Sequence, residues 1–243
     1  TRYIAVTGVQ TCALPISVPV TKVHARATVR GDIGRESGGV HVIAPDINLD
    51  APLAALPSNS PTFKVVKSVL AALNVSEPPP CNLTITSTIP IASGLGSGAA
   101  VAVAIIRALS AFLGHPLPNE RVSALAYEVE KIHHGTPSGI DNTVVTYEKP
   151  VYFIKDQPPA PFSILKPFTL LIGDTGIPTP TKEAVGDVRQ AWLTEPKRYD
   201  QLFAAVGDIA RSARQAIESG QPQDLGPLMN ENHKLLQAMD VSS

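Results

Sequence analysis

The feature that most constrains this chain is a glycine-rich run, Pro90-Ile-Ala-Ser-Gly-Leu-Gly-Ser-Gly-Ala-Ala100, set between a strand pattern and a helix pattern. Ahead of it, Asn82 to Ile89 alternates, with Leu83, Ile85, Ser87 and Ile89 on one face and Thr84, Thr86 and Thr88 on the other. That is the period of a half-buried strand. Behind it, Ala99 to Leu113 is apolar on nearly every side, interrupted only by Arg107 and Ser110, and stops at Gly114 and Pro116. A helix apolar all round is a buried helix, and this one is too short to span a bilayer. Gly94, Gly96 and Gly98 let the backbone approach an anion closely, and the helix beyond them presents unpaired N–H groups and the positive end of its dipole. Pro90 and the stretch Ser93, Gly94, Leu95, Gly96, Ser97, Gly98 and Ala99 are therefore candidates for a phosphate cradle. The competing reading is a tight strand-to-helix turn that holds no ligand.

Two familiar nucleotide motifs fit the run poorly. Gly94-x-Gly96-x-x-Ala99 satisfies the dinucleotide spelling, but that motif needs a parallel βαβ unit and an acidic residue about 20 positions on. Asn119 and Glu120 stand there, after a helix and the loop His115-Pro116-Leu117-Pro118 rather than on a second strand. A P-loop closes on Gly-Lys-Ser/Thr, and no lysine is near.

A second motif, His134-Gly-Thr-Pro-Ser-Gly-Ile-Asp-Asn142, follows a helix over Asn119 to Ile132 whose inner stripe is Val122, Leu125, Ala126, Val129 and Ile132. The pattern beyond it predicts two strands, Thr143 to Tyr147 and Pro150 to Ile154. Gly135, Pro137 and Gly139 fix a turn, with Asp141 at its exit just before the strand and Glu130 at the end of the preceding helix. Two carboxylates bracketing a rigid turn suit phosphoryl transfer, one to hold Mg²⁺ and one to orient or deprotonate a hydroxyl. Alone, Asp141 capping backbone N–H groups and Glu130 on a solvated helix face would be the ordinary fate of such acids.

Together the two stretches resemble the GHMP small-metabolite kinase family, whose loop is spelled Pro-x-x-x-Gly-Leu-Gly-Ser-x-Ala, and within it the members that phosphorylate mevalonate. The resemblance extends from about Val18 to the end, including Asp174-Thr-Gly-Ile-Pro-Thr-Pro-Thr-Lys-Glu-Ala-Val-Gly-Asp-Val-Arg189 and Met229-Asn-Glu-Asn-His233. It implies a two-domain α+β fold, with a mixed or antiparallel sheet and helices in the N-terminal domain and a ferredoxin-like C-terminal domain. It implies ATP and Mg²⁺ as cofactors, mevalonate as the small-molecule partner and transfer of the γ-phosphate to its 5-hydroxyl. Asp141 is then the catalytic base, Glu130 and Ser97 metal ligands, and residues 93–99 the loop around the ATP phosphates; His134, Gly135, Ser138 and Thr175 are weaker substrate-binding candidates. Sister enzymes acting on phosphomevalonate or homoserine, and a non-catalytic small-molecule-binding fragment, are the alternatives.

The chain departs from the family in two places. Where these kinases often carry two adjacent serines, the second reaching the metal, this chain has Ser97-Gly98, so either water fills that position or Ser97 shifts in. The family's opening Pro-Gly-Lys and Gly-Glu-His segments are also not here. Residues 1–16 read instead as translated sequencing adapter: Val6 to Ile16 matches such an oligonucleotide codon by codon. The expected organisation is an artefactual leader over 1–17, an ATP- and Mg²⁺-binding domain over 18–160, and a partial C-terminal domain over 161–243, inactive as a fragment.

Composition narrows the remaining classes. A net charge of −1 without a basic run argues against nucleic-acid or anionic-membrane partners. With Cys12 in the leader, Cys81 stands alone and no disulfide framework exists, in keeping with a cytoplasmic enzyme, a homodimer being its expected assembly. Val18 to Arg30 and Val40 to Ile43 alternate and predict antiparallel strands joined through Gly31 to Gly39. Phe63 to Leu73, Thr181 to Trp192, Leu202 to Ile217 and Leu225 to Met239 read as helices, the second with Thr179-Pro180 as N-cap and N1. Phe168 to Gly173 reads as a strand, and Asp156 to Pro161 as a stiff connection. His24, His41, His115 and His233 show no metal-ligand spacing.

Overall fold

In a computed structural model, residues 2–6, 16–20, 23–32, 34, 38–89, 96–134, 137–154, 157, 160–169 and 181–241 are described. They fall into two compact units, one of residues 1–3 and 19–148, the other of residues 4–18 and 149–243.

The first unit carries a four-stranded sheet. Its strands are β3 (Ala25–Gly31), β4 (Val40–Ala44), β5 (Leu49–Pro52) and β6 (Cys81–Ser87), in the order β3-β6-β4-β5. The alternation of β6 does what it predicts: Cys81, Leu83 and Ile85 are buried and the intervening threonines face outward. β3 and β4 run antiparallel in one sheet, as their sequence predicts, but they are not neighbours. β6 inserts between them, antiparallel to β3 with Ala27 opposite Ile85, and parallel to β4 with Val42 opposite Leu83. Backbone bonds explain the insertion. The Asp32 N–H donates to the Pro80 carbonyl, the Gly39 N–H to Pro78, and the Cys81 N–H to Gly39, which pins the start of β6 between the end of β3 and the start of β4. Gly38 permits that approach, since a Cβ there would lie 2.8 Å from the Pro78 carbonyl oxygen.

Four helices pack in this unit: α1 (Pro61–Ala72), α2 (Ser97–Phe112), α3 (Asn119–His134) and α4 (Ile140–Tyr147). Helix α1 starts as its sequence dictates, with Pro61 in the first turn and the Ser60 hydroxyl accepting the Phe63 N–H at 3.3 Å. Helix α2 is the hub, in contact with β3, β6, α1, α3 and α4. Val103, Ile105, Ile106 and Leu109 are buried along it. Beyond Ser97, its two polar residues are both used: the Ser110 hydroxyl donates to the Arg107 carbonyl at 3.2 Å, and the Arg107 guanidinium reaches across to α4.

Helix α4 corrects a sequence expectation. Thr143 to Tyr147, rich in β-branched and aromatic residues, predicts a strand, and the chain forms a helix instead. Gly139, at φ +81°, turns the chain into helical geometry; the Thr143 hydroxyl bonds back to the Gly139 carbonyl at 2.7 Å. Ile140, Val144 and Val145 are then buried on one surface of a short helix that touches both α2 and α3. Packing overrides a propensity that is worth only tenths of a kcal/mol per residue.

The second unit carries most of the other sheet, ordered β1-β2-β7-β8: β1 (Arg2–Val6), β2 (Ile16–Val20), β7 (Val151–Tyr152) and β8 (Ala160–Pro161). β7 is shorter than the expected Pro150 to Ile154, and pairs antiparallel with β2, Ile16 opposite Tyr152. Three helices follow: α5 (Thr181–Thr194), α6 (Pro196–Glu218) and α7 (Leu225–Ala238). Val188, Tyr199, Phe203, Val206 and Met239 form one core cluster; Tyr152, Phe162, Ala210 and Ile217 form another. Phe168 and Thr169 are not in a strand, and the rest of that expected strand, with the Thr179-Pro180 cap, lies outside the described residues. No helix among the described residues is long and apolar enough to cross a membrane.

Candidate active site

The site lies in the first unit, where the beginnings of α2 and α4 meet the end of α3. Gly96 is the N-cap of α2, at φ +67°, with no side chain capping the helix. Gly96 has no side chain to cover the first-turn N–H groups of α2, a helix end of the kind that receives an anion. Asp141 stands in the first turn of α4, not before a strand as the sequence pattern suggests. Its carboxyl group lies against the loop: a Cβ on Gly96 would come within 3.5 Å of the Asp141 carboxyl carbon. Glycine at 96 thus serves the left-handed turn, while a Cβ there would stand in ordinary contact with the acid.

Glu130, near the end of α3, completes the group. Burial first, and the negative Asp141 second, push its carboxyl from an ordinary 4.5 up to about 8. Two acids held near each other in a poorly hydrated place are unfavourable unless a proton or a cation joins them. Among the described residues no cluster of three or more acid, histidine or cysteine side chains could hold a metal by itself. A pair of carboxylates can take part in holding a hard cation that completes its shell with phosphate oxygens and water.

Among the other sequence candidates, Ser97 begins α2 and is half-buried, Gly98 is exposed, and Ala99 is buried. The Ser138 hydroxyl accepts the Ile140 N–H at 3.4 Å, a turn contact at the entry to α4. Pro90, Ser93, Gly94, Leu95, Gly135, Thr175 and the side chain of His134 lie outside the described residues.

Two side chains that support this site were not singled out from the sequence. The Asn142 amide donates to the Ser123 carbonyl at 3.0 Å and to the Ser123 hydroxyl at 2.8 Å, tying α4 to α3. Arg107 donates to the Thr146 carbonyl at 2.5 Å, to Asn119 at 3.1 Å and to Glu148 at 3.1 Å, tying α4 to α2 and the start of α3. A lone arginine in an otherwise apolar helix was the available signal for the second. Asn142 carried none beyond its place after the acid.

Comparison with known proteins places this geometry in a class. Residues 62–149 match the family model described as the GHMP kinases N terminal domain, a span that holds Gly96, Glu130 and Asp141. A mevalonate kinase of Aeropyrum pernix is 33% identical over 228 residues, covering 90% of this chain and 68% of that protein. One of Pyrococcus horikoshii is 38% identical over 168 residues, 67% of this chain and 49% of that protein. A crystal structure of L. major mevalonate kinase in complex with R-mevalonate superimposes with a TM-score of 0.78 at 27% identity, covering 100% of this chain and 75% of that one. The chain belongs to the GHMP kinase family that these mevalonate kinases represent, and its α+β fold is theirs. It spans about half the length of several of the curated relatives it matches, 49% in the Pyrococcus case.

Proposed function

We propose that this chain carries the site of an ATP-dependent mevalonate kinase, which transfers the γ-phosphate of ATP to the 5-hydroxyl of mevalonate. The observation that carries the reading is the placement of Asp141, in the first turn of α4, against Gly96 at the uncapped start of α2 and electrostatically coupled to Glu130. N–H groups at the start of α2 receive phosphate charge. Asp141 orients the attacking hydroxyl and takes its proton as the new O–P bond forms. Glu130 and Ser97 are the residues that would hold Mg²⁺, Gly98 standing where the family often has a second serine. When bound, Mg²⁺ supplies charge neutralisation at the β- and γ-phosphates. Substrate choice rests on the mevalonate kinases among the relatives.

The test is a substrate panel. The full-length protein with ATP and Mg²⁺ is expected to turn over mevalonate faster than phosphomevalonate or homoserine. Faster turnover of either competitor overturns the substrate, and nucleotide binding without phosphoryl transfer to any of the three overturns the activity.

A further inference from the structure

We infer that the Asn142–Ser123 hydrogen bonds form a positioning clamp that holds the Asp141 carboxylate of α4 in register with Glu130 of α3, an inference that rests on the kinase reading above. Asn142 directly follows Asp141 and is 3% exposed. Both of its donated bonds end on one residue of the neighbouring helix, the Ser123 carbonyl and hydroxyl. A carbonyl only accepts, so the amide orientation is set: the NH₂ faces α3 and the Oδ1 faces away. That Oδ1 is buried and has no hydrogen-bond partner among the described residues.

An unpaired buried acceptor is a cost that a contact serving stability alone would not carry, because an apolar residue of similar size avoids it. The gain is geometric. The Tyr147 hydroxyl also crosses to Glu120 of α3, but only at 3.4 Å and at the far end of α4, and the Tyr127 hydroxyl reaches the Pro137 carbonyl of the preceding turn at 3.4 Å. Apolar surfaces tolerate sliding, whereas two bonds from one amide to one residue do not. The clamp therefore fixes α4 along and around its axis at the residue beside the acid. Asn142 touches no reacting atom; it acts through Asp141.

The test compares Asn142→Ala and Asn142→Leu with Ser110→Ala, a buried hydroxyl of α2 that bonds only within its own helix and the Leu117 backbone. Both Asn142 variants should lower kcat on mevalonate by about 10-fold to 100-fold, the range typical for lost orienting partners, with the ATP KM little changed. Asn142→Leu should keep the melting temperature of the wild type while losing turnover, and Ser110→Ala should do the reverse. Pairing Ser123→Ala with Asn142→Ala should cost no more than Asn142→Ala alone. Wild-type kcat in Asn142→Leu, or losses of turnover that merely follow melting temperature across all variants, overturns the clamp. If the wild type does not phosphorylate mevalonate, the kinase reading fails and the clamp is read from amide exchange. Residues 140–147 should then exchange faster in Asn142→Leu than in the wild type, and equal rates overturn it.

Discussion

The two ends of α4 treat charge in opposite ways. At the C-terminal end, Arg107 meets the Thr146 carbonyl, the Asn119 side chain and the Glu148 carboxylate, while the chain leaves the helix through Glu148 at φ +53°. A cation faces the negative end of a helix dipole and finds three acceptors. At the N-terminal end, Asp141 and Glu130 bring like charge to like, and burial raises the Glu130 carboxyl to about 8. Charge that serves the fold is compensated where it stands. At the other end the Glu130 carboxyl keeps its proton because of burial and its negative neighbour, and the rest of the helix has to hold that pair together.

The contrast is sharpened most by Asp141→Asn, which in the full-length enzyme should cut kcat by at least about 10²-fold with ATP binding little changed, as expected for a positioned base. Near-normal kcat would make the N-terminal end as structural as the other. Next in size, Arg107→Ala should cost about 2 kcal/mol in denaturant unfolding, because it strips a charged donor from partly buried acceptors, and should leave the Mg²⁺ requirement unchanged. Glu148→Ala should cost under about 1 kcal/mol, since that ion pair is more than half exposed on the glutamate side and screened. If the two variants cost the same, the ion pair rather than the carbonyl and amide contacts closes the helix.

The third effect is a dependence on pH. The folded protein holds the Glu130 proton up to about 8, whereas the unfolded chain releases it near 4.5. Between those values the folded state binds the extra proton, so metal-free stability falls as pH rises, by up to about 1.4 kcal/mol per unit. Glu130→Gln should flatten that slope in urea melts run with a chelator. The same variant should raise the Mg²⁺ concentration needed for activity, because an amide holds a hard cation poorly. A slope identical in wild type and variant would remove Glu130 from the acid pair.

What the sequence by itself determined is local. The two-residue period of Asn82 to Ile89, the apolar run of α2 and the stripe of α3 each predict their element, because a single surface decides which side chains are buried. The acids bracketing the His134 to Asn142 turn make Glu130 and Asp141 candidates, and the resemblance to the GHMP kinases gives them their roles. Only the tertiary structure decided the rest. β3 and β4 are separated by β6 because backbone bonds from residues far along the chain capture its start. Thr143 to Tyr147 is a helix because a left-handed Gly139 and the surfaces of α2 and α3 outweigh its strand propensity. The Asn142–Ser123 bonds and the three partners of Arg107 join elements whose spacing no sequence period encodes, and those contacts turn two acids into one site.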